Sequence, residues 1–175
     1  MLWRTIDYLE SDKLSLRVKE LANVLDALKD ADLIEFQNEY VRAFRLMFKK
    51  PIYELYCSAF EGEVNQMGLV DFSNNIMLTG QAFYRKVMEN PDCFAEVPDV
   101  RPFNNDYVAL NGPGLDALAR RYGRDEVERM LGRQDIQSVE LWETFASEVE
   151  EPTWRSDWND IRLKMPRVYV RWGKK

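Results

Sequence analysis

The sequence predicts a mainly α-helical, single-domain helical bundle with a central buried helix and a small β element at the C-terminus. Three observations predict it. Apolar residues recur at i, i+3, i+4 and i+7 through most of the first 150 residues, the spacing that gives a helix one buried face. Gly, Pro, Asp and Asn interrupt those stretches where helices start and stop. Polar–apolar alternation, the mark of a strand, is clearest in residues 167–172. The expected organisation is a helical domain over 1–150 and a Trp-rich, basic segment over 151–175, packed on that domain or extending from it.

Leu2, Trp3, Ile6 and Leu9 start the chain in a helix. Ser11 or Asp12 is a candidate cap for the next, whose buried face is Leu14, Val18, Leu21, Leu25 and Leu28. Asp30 or Asp32 restarts the pattern. Leu33, Phe36, Tyr40, Phe44 and Met47 line a third helix, and Lys49 and Lys50 suit its partly negative carbonyl end. Pro51 fits a first helical position, followed by Ile52, Leu55, Tyr56, Ala59 and Phe60 on one face. A loop with Gly62 and Gly68 leads to the central helix, expected over 71–89.

Asp71 or Ser73 caps that central helix in this reading, and Phe72, Ile76, Gly80, Phe83 and Val87 share its inner face. A Gly inside a helix costs about 1 kcal/mol relative to Ala, so Gly80 implies the close passage of another backbone. Asn90-Pro91-Asp92 ends the helix, because the residue before a proline is driven out of helical geometry. Residues 92–113 read as a long connection, with a short strand expected at 107–110. Gly112-Pro113-Gly114 introduces a helix with Leu115, Leu118, Ala119 and Tyr122, and Gly123 ends it. Asp125 caps a short segment with Val127, Met130 and Leu131. A weaker helix around Ile136, Val139 and Ala146 runs to Pro152.

Charge is unevenly distributed. Residues 161–175 hold six bases (Arg162, Lys164, Arg167, Arg171, Lys174, Lys175) and no acid. The other 160 residues carry 18 bases against 30 acids, a net −12 that repels phosphate, so no nucleic-acid role is expected. No stretch resembles a signal peptide or nears the roughly 20 apolar residues of a membrane helix. No membrane role and a cytoplasmic location are the expectations. Cys57 and Cys93 are too few for a disulfide framework.

There is no histidine in the 175 residues. That removes Ser-His-Asp and Cys-His catalysis, whose general base is missing, and His-ligated zinc, haem or iron. No cofactor, no metal-ligand set and no catalytic motif is expected. Cys57 reads as a buried structural thiol, Glu61 with Glu63 as solvated loop acids, and Gly112-x-Gly114 as a helix-entry turn rather than a phosphate loop. Asn74 and Asn75 are poor helix formers in a predicted helix, and with Asp71 they form a candidate pocket.

Ile76-Met77-Leu78-Thr79-Gly80, then Phe83-Tyr84 and Pro91-Asp92, resembles the central helix of the bacterial domain-of-unknown-function 4240 family, Phe-x-Tyr-Phe-x-x-Trp-Leu-Ile-x-x-Gly with a Pro-Asp stop. Leu2-Trp3 with Ile6-Asp7, Glu35-Phe36-Gln37, and Leu55-Tyr56 with Ala59-Phe60 are similar to its earlier helices. The resemblance spans about residues 1–97. It implies the helical fold and brings no established activity. The family's Gly-Gly-Cys-Ser-Asp-Asp segment is reduced here to at most one acid before Phe72, and its Trp is replaced near Asn75 or Ile76. A site built on that segment is expected to be lost or altered.

Two functions are expected in order. The first is a non-enzymatic protein-binding domain (inhibitor, immunity protein or regulatory adaptor) acting through Trp154, Trp158, Arg167, Tyr169, Arg171 and Trp172. Trp and Arg dominate interface hot spots, and an edge strand can join a partner's sheet. The second is a carboxylate-dependent enzyme, with Mg²⁺ assisting, around Asp71, Asn74 and Asn75.

Overall fold

A computed structural model describes residues 1–59, 66–96, 112–131 and 162–172. The described elements are α1 (Leu2–Asp7), α2 (Leu14–Ala27), α3 (Asp30–Met47), α4 (Lys50–Ala59), α5 (Gln66–Leu78), α6 (Gln81–Glu89), a 3-10 turn (Pro91–Glu96), α7 (Pro113–Tyr122), α8 (Arg124–Leu131) and α9 (Pro166–Trp172). The fold is mainly helical, and no strand occurs among the described residues. The expected strand at 107–110, the helix near 136–146 and the boundary at 150 lie outside them.

The helical periodicities translate directly into the core. Leu33, Phe36, Tyr40, Phe44 and Met47 are all buried on α3, which packs against α1, α5 and α7. Leu21 and Leu25 are buried on α2, with Leu14, Val18 and Leu28 packed at its margin. Asn90 is extended (φ −145°, ψ 100°), as the proline after it requires, and Gly123 closes α7 at φ 84°.

Caps are where the structure departs from expectation. Lys13 and Lys29 occupy the N-cap positions of α2 and α3, and neither makes a side-chain cap bond. Arginines serve the opposite, carbonyl ends of the helices. Arg17, on α2, donates to the carbonyls of Ile6 (2.8 Å), Leu9 (3.0 Å), Ser11 (3.2 Å) and Leu78 (2.7 Å), neutralising the negative ends of α1 and α5 together. Arg121, on α7, donates to Leu25, Asp26 and Leu28 at the end of α2 and pairs with Asp30 at the start of α3 (2.6 Å).

The expected single helix over 71–89 is two helices. It begins earlier, at Gln66, and breaks at Gly80, which has φ 117° and serves as N-cap of α6. Asp7 accepts the Gln81 N–H (2.9 Å), and a Cβ on Gly80 would stand 2.8 Å from the same carboxylate oxygen. Gly80 is therefore required by a left-handed turn beside a side chain, rather than by a passing backbone.

Residues 167–172 form a helix, not the expected strand. Met165 and Val168 are buried and Tyr169 is half-buried, a helical spacing hidden inside the alternating pattern. Pro166 opens the helix, where its missing N–H costs nothing. Asp92, from the 3-10 turn, supplies the cap: its Oδ1 accepts the N–H groups of Arg167 (2.8 Å) and Val168 (2.9 Å). The C-terminal helix thus packs on the 3-10 turn and α4.

Candidate functional site

From Leu69 to Leu78 every residue of α5 is buried, so the helix has no solvated face on which to place polar side chains. Four of these buried residues are polar nonetheless: Asp71, Ser73, Asn74 and Asn75. Asp71 is therefore neither a cap nor a surface acid. It lies in the second turn of α5, one helical turn before Asn74 and Asn75, with only 8% of its surface exposed. Asn75 is exposed to the same 8%.

The cluster continues onto two neighbouring helices. Tyr40 of α3 donates its hydroxyl to Asn74 Oδ1 (2.5 Å). Gln37, one turn earlier, is 1% exposed and turns to α7, where its Oε1 accepts the N–H groups of Gly114 (3.1 Å) and Leu115 (3.3 Å). Gln37 does the work of an N-cap there, because Gly112 has no side chain to offer. A Cβ on Gly114 would meet Gln37 and the Leu33 carbonyl at 3.0–3.1 Å, so glycine lets the helix start approach α3.

Several of these groups are left without partners. Among the described residues, Gln37 Nε2, Ser73 Oγ and Asn75 Oδ1 are buried and unpaired, and Asp71 makes no hydrogen bond or ion pair. Each of the three buried atoms costs about 1–3 kcal/mol. Burial pushes the Asp71 carboxyl above the usual carboxylate range. Asp116, on α7, is raised by burial too, with Arg120 and Arg124 opposing. The Tyr40 hydroxyl is held far above its ordinary value, first by burial and then by the negative fields of Asp116 and Asp71, against the Asn74 bond. Both carboxylates thus act on the same buried hydroxyl.

Asp71, Asn74 and Asn75 lie within two turns of α5, in the core rather than in a capping turn. Gln37, Tyr40 and Asp116 complete the cluster and were not foreseen. The signal for Gln37 was present: a polar residue four positions from Leu33, inside an otherwise apolar stripe.

The second proposed surface is only partly within view. Arg167, Tyr169 and Arg171 share α9, whose backbone also includes Trp172, while Trp154 and Trp158 lie outside the described residues. Arg167 pairs with Glu96 (3.0 Å), and Arg171 donates to the Ala95 carbonyl (2.5 Å). These two arginines anchor the helix to the body. The exposed apolar groups are Leu163 and Val170, 76% and 82% accessible, among the exposed bases Arg162 and Lys164.

Cys57 is buried and its thiol is pushed up to about 12, mainly by desolvation, which makes it inert at neutral pH. Glu61 and Glu63 lie outside the described residues. Among the described residues no group of three metal-ligating side chains converges, and no helix is long and apolar enough to cross a membrane.

A family model described as "Protein of unknown function (DUF4240)" matches residues 2–124. The match extends past the expected residue 97 and takes in all of α7, so the whole cluster falls inside it while α9 lies beyond. No curated protein and no solved structure matches.

Proposed function

Because the chain belongs to the family of proteins of unknown function DUF4240, a membership that assigns no activity, we propose a function from its own surfaces: a non-enzymatic protein-binding domain, of the inhibitor, immunity-protein or adaptor kind. The observation that carries this reading is the pair Leu163 and Val170, large apolar side chains left exposed on a segment with six bases and no acid. Isolated exposed apolar residues are ordinary. Here each has basic neighbours along the chain, Arg162 and Lys164 beside Leu163 and Arg171 beside Val170, and Asp92 and Glu96 hold the α9 part of the segment on an acidic body, which suits an acidic protein partner with an apolar groove. Contact passes through a helix face, since the expected β edge is not formed. The free thiols Cys57 and Cys93 fit a reducing compartment, and the acidic body disfavours nucleic acid.

Affinity capture from the native host tests it, using the full chain and a Leu163→Asp/Val170→Asp variant that melts like the parent. The reading requires a protein retained by the parent, lost with the variant, and shown to bind again when purified. Equal retention by both contradicts it.

A second reading has its own observation. Asp71 is an unpaired carboxyl on a buried helix, with a pKa raised by burial, the direction of shift that a general acid uses. A carboxylate-dependent site around Asp71, Asn74 and Asn75, with Mg²⁺ assisting, lies within the family-matched residues. This reading requires Asp71→Asn to abolish Mg²⁺ binding measured by calorimetry.

A further inference from the structure

We propose that the family-matched part of the chain carries a docking face for a short basic helix, built from α4 and the 3-10 turn, and that α9 is its ligand, held in cis. The family match ends at residue 124, whereas α9 spans Pro166–Trp172. The helix packs on the 3-10 turn and α4, both inside the matched residues. Leu163 and Val170 point to solvent and take no part in this contact, which therefore stands apart from the partner surface proposed above.

The face selects by three kinds of contact. Asp92 Oδ1 accepts N–H groups in the first turn of the helix, from Arg167 (2.8 Å) and Val168 (2.9 Å). Glu96 takes the Arg167 guanidinium (3.0 Å), Glu54 of α4 faces Lys164 Nζ (3.5 Å), and the Ala95 carbonyl accepts from Arg171 (2.5 Å). Met165 and Val168, three positions apart, are 4% and 0% exposed and supply the apolar part. The chemistry recognised is thus a basic helix with two apolar side chains one turn apart.

The acceptors are placed by the body of the protein. Asn90 Oδ1 accepts the Asp92 N–H (3.1 Å), and the Asn90 carbonyl accepts the Cys93 N–H (3.0 Å), which fixes the start of the turn. Lys86 of α6 holds Glu96 (3.1 Å). A face ordered in advance loses little freedom when a ligand arrives. The helix has no such independence: its seven residues are well short of the roughly 12–15 that make an isolated helix even marginal in water. The dependence runs from α9 to the face.

The test uses the full chain carrying Val168→Asp, which expels α9, and a fluorescein-labelled peptide of residues 162–172 followed by fluorescence polarisation. The expected result is saturable binding of the peptide to Val168→Asp, weaker by about tenfold or more in the parent, whose face is filled, and in Val168→Asp/Asp92→Ala. A folded Val168→Asp chain that binds no better than the parent, or binding indifferent to Asp92→Ala, overturns the proposal. Loss of the helical circular dichroism signal of Val168→Asp overturns it too, because α9 is then part of the core rather than a docked ligand. Hydrogen exchange of the unaltered chain is the second measurement. Amides of α9 must exchange through a local opening that leaves α3 and α5 protected, and exchange only together with α3 contradicts a separable ligand.

Discussion

Replacing Asp71 with Asn stabilises the protein at neutral pH. The residue is 8% exposed on a helix buried from Leu69 to Leu78, and no hydrogen bond or ion pair compensates its charge among the described residues. Its folded-state pKa is raised by burial. A raised carboxyl pKa means that the stability this group permits is fully present below the unfolded pKa of about 3.9 and is lost as pH rises through the folded value. Wild type therefore carries a penalty at pH 7 that the neutral amide removes. An unsatisfied buried polar group costs about 1–3 kcal/mol, and the amide still needs partners, so a net gain of about 1–2 kcal/mol is expected. For a chain of this length that raises Tm by about 2–8 °C. Thermal melts of both proteins from pH 4 to pH 8, followed by circular dichroism, measure it. The gain must grow with pH. Asp116 is raised in the same direction but is common to both proteins, so it cancels in the difference. A variant less stable than wild type at pH 7, or a difference independent of pH, refutes the reasoning.

Arg17→Met keeps the apolar stem but forfeits four bonds to carbonyls at the end of α1, in the connection after it and at the end of α5, so urea denaturation should show a loss of about 3 kcal/mol. Arg17→Lys recovers little of it, since an ammonium cannot span the same acceptors. Asp92→Ala removes the cap of α9 and should cost about 1–2 kcal/mol, with faster hydrogen exchange in residues 166–172 than in α3. Cys57 should resist a thiol reagent at pH 8 in the folded protein, because its pKa is pushed up to about 12, while half-buried Cys93 reacts first.

How far the sequence could be read depended on what each feature needed to know. The α3 stripe of Leu33, Phe36, Tyr40, Phe44 and Met47 was legible because periodicity is local and burial follows from it. The start of α7 and its end at Gly123 were legible because Gly and Pro fix backbone angles by themselves. Gly80 was misjudged: Phe72, Ile76, Phe83 and Val87 kept helical phase across it, hiding a break that depends on Asp7, 73 residues earlier. Residues 167–172 were misjudged for a similar reason. Alternation fitted a strand, but Asp92 caps a helix from 75 residues away. The buried polar cluster was legible only in part. Asp71, Asn74 and Asn75 stood out as polar residues in an apolar helix, whereas Gln37, Tyr40 and Asp116 joined them only through packing of α3 and α7.

The proposed binding function is tested most directly by titrating any protein recovered by the affinity capture into the purified full chain and into Leu163→Asp/Val170→Asp, across a series of salt concentrations. The predicted result is at least tenfold weaker binding by the variant, about 1.4 kcal/mol, and affinity that falls as salt rises because basic side chains rim the contact. Equal affinity of both proteins, or affinity indifferent to salt, contradicts a partner seated on the C-terminal helix.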